Sequence, residues 1–204
     1  MEKRVEFQLN LPTFLAKIYT SAMKIKLLFV FFTVCAVACK QKENYTEVRK
    51  TLEKILEDDQ KYRNPVYDWK KQNPLDRKNI KIVTKIIDSL GWLGAEKIGK
   101  NANLAFFVVI QHSHELSTME RYLPVMVEAA KKGNADKRQL AYLIDRIELL
   151  NNRKQIYGTQ YSIRENGAFF IDNLIDSSQV DVRRKTMNLE PLNNYFKVLK
   201  SAKN

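Results

Sequence analysis

The sequence predicts a mainly α protein, a single-domain helical bundle with a small β-hairpin at about residues 155–171 near its C-terminus. Three observations carry this expectation. Apolar residues recur at three- and four-residue spacing through most of the chain. Only six Gly and five Pro interrupt 204 residues, too few for a many-turned β-sandwich. A hydrophobic content of 45% over that length can fill one proper core, which argues against disorder, collagen-like repeats and a multi-domain assembly.

The chain opens with a targeting pattern. Met23-Lys24-Ile25-Lys26 is a short basic segment, residues 27–38 form a twelve-residue apolar run, and Cys39 follows. This matches a secretory signal. A bilayer-spanning helix needs roughly 20 apolar residues, so the run is too short to cross. Residues 1–22 then read as an over-long start before Met23, or as an extended basic leader. Ala36-Val37-Ala38-Cys39 resembles a bacterial lipobox, with Cys39 lipidated as the first mature residue, and it also reads as an A-x-A site that would release a soluble form. The expected product is exported and anchored to the cell-envelope membrane through Cys39, facing the periplasm or cell surface, with residues 39–44 as a tether and 45–204 as the globular domain. Cys35 lies inside the apolar run and leaves with it, so no internal disulfide is possible.

The elements of the domain follow in order. Val48, Leu52, Ile55 and Leu56 mark a helix over residues 45–63, stopped by Asn64-Pro65. Residues 66–74 read as a loop. Ile80, Val83, Ile86, Ile87 and Leu90 form a second helical stripe, closed by Gly91. The run 104–110 is apolar on every face and should be central, as a helix spanning 101–115 or, on periodicity alone, a buried strand. Ser117-Thr118-Met119-Glu120 reads as a capping box for a helix ending at Gly133, with Pro124 marking a kink or a later start. Asn134 or Asp136 caps a helix over 137–150, with Leu140, Leu143, Ile144 and Ile147 on one face. Glu165-Asn166-Gly167 suggests the hairpin turn. A short helical piece over 178–184 and a last helix over 191–199 complete the chain.

The net charge of +12 falls to +9 when residues 1–38, carrying five basic and two acidic residues, are set aside. In an exported protein such a surface suits anionic envelope polymers or lipid headgroups better than nucleic acid. Lys on solvated helix faces also needs no partner.

Candidate chemistry is concentrated in three places. Gln111-His112-Ser113-His114-Glu115 holds both His of the chain. On a helix His112 and His114 diverge by about 200°, so no metal site is implied, although on a strand they would share a face. His112, following the buried run, suits an acid/base role or a satisfied core position. Asp145-Arg146 lies against an apolar stripe, so each charge should have a partner: either an ion-pair network, or an anion clamp by Arg146 with Asp145 orienting His112. Gln155-Ile156-Tyr157-Gly158-Thr159-Gln160 offers amide, phenol and hydroxyl groups that could bind a polar ligand or satisfy buried backbone. The candidate catalytic pair is therefore His112 and Asp145, and the candidate ligand-binding set is Gln111, Arg146, Gln155, Tyr157, Thr159 and Gln160. No nucleophile elbow, phosphate loop, dinucleotide fingerprint or metalloprotease motif is present, and no cofactor is implied.

Asp59-Gln60 with Arg63, Gly91-Trp92, Gln111-His112, Leu143-x-Asp145-Arg146 and Gln155-x-Tyr157-Gly158-Thr159-Gln160 occur in this order. Together they resemble a bacterial family known only as a domain of unknown function. The likeness runs over roughly residues 59–195. It implies one coherent domain and assigns no activity, cofactor or substrate.

The leading expectation is a lipid-anchored envelope protein binding a small polar or anionic ligand. The alternatives are an envelope hydrolase or transferase using His112 as acid/base, and a scaffold without a pocket. The polar residues of the three segments should converge on one site, because meeting one another is the least costly way to satisfy buried polar groups.

Overall fold

The structure, a computed structural model, describes residues 44–203. The signal-like segment and Cys39 lie outside the described residues. Eight α-helices are present among those described: α1 (Thr46–Gln60), α2 (Trp69–Leu90), α3 (Ala95–Ile98), α4 (Lys100–Gln111), α5 (Leu116–Lys131), α6 (Lys137–Leu150), α7 (Val180–Thr186) and α8 (Leu192–Lys203). A two-stranded antiparallel hairpin, β1 (Ser162–Ile163) with β2 (Phe169–Phe170), and a 3-10 turn (Ser177–Gln179) complete the list. The mainly helical expectation holds. No described helix is long and apolar enough to cross a membrane.

The all-apolar segment is a helix and sits at the centre. α4 packs against α1, α2, α3, α5 and α6, and Ala105, Phe106 and Ile110 are fully buried. Having neighbours on every side explains why α4 carries no polar face in its second half. The Phe106 ring meets Trp92 at 5.3 Å, anchoring the turn between α2 and α3.

Boundaries differ from expectation in several places, and the helix expected over 101–115 ends at Gln111, ahead of His112. Residues 69–74 are helical, with Pro74 inside α2. Asp68 caps that helix by accepting from the Lys71 N–H, and Gln72 pins its first turn by accepting from the Tyr62 N–H and donating to the Asp58 carbonyl. These contacts nucleate the helix ahead of the proline. The sequence Ser117-Thr118-Met119-Glu120 is not a capping box: α5 starts at Leu116, and the Ser113 hydroxyl accepts the Glu115 N–H just before it. Pro124 lies within α5. The hairpin is confined to residues 162–170, and 155–160 form a loop in which Gln155 makes only an isolated parallel bridge to Leu174.

One end of the core is polar. On α1 the buried stripe runs Leu52, Ile55, Asp59. On α2 it runs Gln72, Asp76, Asn79, Val83, Ile87, polar for its first half and apolar for its second. α4 ends in buried Gln111 and is capped by His112. Because α1 and α2 are sequential helices joined by a short connection, the C-terminal end of one meets the N-terminal half of the other. The polar parts of both stripes therefore fall at the same end of the bundle, beside the end of α4.

Candidate functional site

At this polar end a carboxylate and an imidazole form a pair. Asp59, 1% exposed, accepts from His112 Nδ1, with contacts of 2.9 Å at Oδ2 and 3.1 Å at Oδ1. That bond assigns the proton to Nδ1 and turns Nε2 away from the carboxylate. Gln60 Nε2 donates to Asp59 Oδ2 at 2.6 Å. Arg63 spans two carboxylates: Nη2 lies 2.8 Å from Asp76 Oδ1 and 3.3 Å from Asp59 Oδ1, while Nε lies 3.4 Å from Asp59 Oδ2. Gln72 donates to Asp76 Oδ1 at 2.7 Å, and His114 Nε2 stands 3.4 Å from Asp76 Oδ2. Burial alone would raise the Asp59 pKa. The hydrogen bond to His112 and the charges of His112 and Arg63 overcome that and hold it below the usual carboxylate range.

A cleft of about 380 Å³ opens over this pair, lined by Arg63, Tyr67, Trp69, His112, Ser113, His114 and Arg146. No carboxylate lines it. Arg146 is half-buried, and its Nε is fully buried without a hydrogen-bond partner. Among the described residues its guanidinium makes no hydrogen bond or ion pair. Burial and then the nearby charge of Arg63 both lower its pKa. A neighbouring cavity of about 370 Å³ between α2 and α5 shares Ser113 and His114 with the cleft. Its wall mixes Asp76, Asp88 and Glu115 with Arg77, Lys81 and Arg121, so its charges balance internally.

The remaining predicted residues form a second network. Asp145 is fully buried and accepts four hydrogen bonds: Oδ1 from the N–H groups of Ile156 and Tyr157, at 2.7 and 3.0 Å, and Oδ2 from the Thr159 N–H and hydroxyl, both at 2.9 Å. Gln155 accepts from the Gln160 N–H and donates to the carbonyls of Gln160 and Asp172. Gln160 donates from its side chain to the Tyr142 carbonyl and to Thr159 Oγ1. The carbonyls of the loop are taken as well. Arg184, 1% exposed, donates to Tyr157 and Gly158 at 2.9 and 3.2 Å, Arg183 donates to Ile156, and Tyr195 donates to Thr159. Gly158 has φ +65°, a conformation that favours glycine, and a Cβ there would crowd the Leu174 side chain at 3.3 Å.

The expected single site is therefore two. His112 and Arg146 share the cleft, while Asp145, Gln155, Thr159 and Gln160 lock the 155–160 loop. Tyr157 packs half-buried against the core and does not line the cleft. Asp145 does not orient His112, because all its accepting capacity goes to the loop. That role belongs to Asp59. Adjacent residues leave a helix about 100° apart, so Asp145 and Arg146 serve different faces of α6. Gln111 is buried with its Oε1 unpartnered, and it does not line the cleft. No group of three or more His, Cys, Asp or Glu able to hold a metal occurs among the described residues.

Asp59 and Arg63 enter the sequence reading only as positions of the family resemblance, with no role at a site, and Gln72 and Asp76 do not enter it at all. Their signal is the phase of the stripe: Asp59 continues Leu52 and Ile55, and Gln72 and Asp76 continue Val83 backwards along α2.

Comparison with known proteins gives one match. A model described as a family of unknown function (DUF6624) covers residues 42–204, and the chain belongs to that family. No curated protein and no solved structure matches.

Proposed function

We propose that this family member is an exported, lipid-anchored envelope protein whose folded domain binds a small anionic ligand in the cleft between His112 and Arg146. The basic segment, the twelve-residue apolar run and Cys39 support the export and anchoring. One observation carries the ligand: Arg146, a permanently charged group with a buried, unpartnered Nε, faces a cleft that no carboxylate lines. A half-buried guanidinium without a counterion is costly unless an anion completes it.

Titration calorimetry of the purified full chain with inorganic phosphate, sulfate and acetate tests the reading. Saturable binding to wild type and none to Arg146→Met is the expected result. Equal binding by both proteins places the anion elsewhere and defeats the proposal.

The Asp59–His112 pair supports a second reading, an enzyme with His112 as acid/base. With Nδ1 tied to Asp59, the second ring nitrogen is left to exchange a proton with a bound ligand. Under this reading His112→Asn keeps anion binding and loses turnover. A His112→Asn protein that still turns over a substrate found for wild type removes His112 from the chemistry.

A further inference from the structure

We infer that the ligand of the cleft is a phosphate monoester carried on a flat ring, with the phosphoryl group between Arg63, Arg146 and His112 and the ring against Trp69. The inference rests on the anion-site reading above and adds the ligand's class.

The donors come from three separate parts of the chain. Arg63 lies between α1 and α2, His112, which donates through Nε2 when that nitrogen is protonated, follows α4, and Arg146 is on α6. A planar carboxylate is satisfied by a single guanidinium fork. Donors converging from three directions suit a tetrahedral group with three terminal oxygens. Arg63 commits Nε and Nη2 to Asp59 and Asp76, which leaves its Nη1 edge without a protein partner. Those two carboxylates fix the guanidinium and do not line the cleft.

The rim is aromatic. Trp69 is 55% exposed and Tyr67 46% exposed, both lining the cleft, and the Arg63 guanidinium lies 5.5 Å from the Tyr67 ring centroid. Two large rings left in water beside a cationic floor form a stacking platform. A planar ring linked to the phosphoryl group would cover apolar surface that inorganic phosphate leaves wet.

The test is calorimetry of the full chain with inorganic phosphate, phenyl phosphate, a nucleoside 5′-monophosphate, benzoate and phenol. Phenyl phosphate or the nucleotide should bind at least about ten-fold more tightly than inorganic phosphate, the gain expected from one stacked ring. Benzoate and phenol should bind more weakly than either. The tighter of the two phosphate esters identifies the ring as aryl or nucleobase. Trp69→Ala should erase the gain and leave inorganic phosphate unchanged, and Trp69→Phe should restore most of it. Inorganic phosphate that binds with no gain from a ring overturns this inference and leaves the anion site standing. Benzoate equal to phenyl phosphate overturns the tetrahedral assignment. Failure of every anion to bind overturns both readings.

Discussion

Replacing Arg146 by Met should stabilise the protein and abolish anion binding together. Methionine keeps most of the apolar stem and removes the guanidinium. Its removal relieves a buried N–H with no acceptor, a defect that costs about 1–3 kcal/mol. The repulsion from Arg63 that lowers the Arg146 pKa is relieved as well. Part of the guanidinium is hydrated at the cleft, which reduces both gains, and the net effect should be about 1–2 kcal/mol. For a domain of this size each kcal/mol moves Tm by about 2–4 °C, so a rise of a few degrees is expected. Urea unfolding followed by tryptophan fluorescence at pH 7, with calorimetric Tm, measures it. Arg146→Lys, which keeps the charge, should give little gain. Arg184→Met is the contrast: Arg184 is more deeply buried than Arg146, but it donates to the carbonyls of Tyr157, Gly158 and Glu190. Its loss should cost about 3 kcal/mol or more, because it orphans three backbone carbonyls in buried or part-buried bonds. If Arg146→Met loses 1 kcal/mol or more, Arg146 is a structural residue and the anion argument collapses.

Asp59→Asn should destabilise by about 3 kcal/mol, since it leaves Arg63 and His112 facing a neutral group in a buried setting, and chemical denaturation reads this directly. The Asp59 carboxyl is held below its ordinary value, so its contribution is complete above about pH 4 and is lost as pH falls through the lower folded-state value. Acid unfolding of wild type below pH 4 should accordingly be steeper than that of Asp59→Asn. Asp145→Ala should cost about 3 kcal/mol and raise protease sensitivity in the 155–160 loop, because three backbone N–H groups lose their acceptor; an unchanged digestion pattern would argue against that network. Phe106→Ala should cost about 3–5 kcal/mol at a fully buried position, and Phe107→Ala, half-buried, clearly less, both by denaturant midpoint. Mass spectrometry of the native protein should find an acylated Cys39 as the first residue, and an intact Met1 or Met23 terminus would refute the lipoprotein reading.

The helices were legible wherever an apolar stripe ran unbroken. Val48 to Leu56, Ile80 to Leu90 and Leu140 to Ile147 each announce a helix that the structure contains. What escaped was the polar continuation of those stripes. Asp59, Gln72 and Asp76 occupy core positions by phase, yet a charged or amide residue on a wheel reads as solvated unless its partners are known, and some of those partners are distant in sequence, Arg63 lying 13 residues from Asp76 and His112 53 residues from Asp59. The start of α2 was hidden for a related reason. Pro74 argues locally against a helix, and what overrides it is the tertiary anchoring of Gln72 on Tyr62 and Asp58. The 155–160 loop showed its polar inventory in sequence but not its use, because a row of amides and hydroxyls suits a ligand and a buried backbone equally well.

What separates these uses is whether the hydrogen bonds close. Asp145 and Arg146 are neighbours on one helix, each withdrawn from water, and sequence alone treats them alike. Every acceptor site of Asp145 is taken by the loop, so nothing is gained by admitting a ligand, and the loop's own carbonyls are matched by Arg183, Arg184 and Tyr195. Arg146 makes no hydrogen bond or ion pair among the described residues, and beside it His112 has one nitrogen committed to Asp59 and the other not. A fold that satisfies one residue of the pair so fully, and leaves the next as a half-buried cation without a counterion at an opening, places its unmet demand where a ligand can reach it. Stability is then lowest in the empty state, and an anion that binds at Arg146 should raise Tm with concentration in wild type and leave Arg146→Met unmoved.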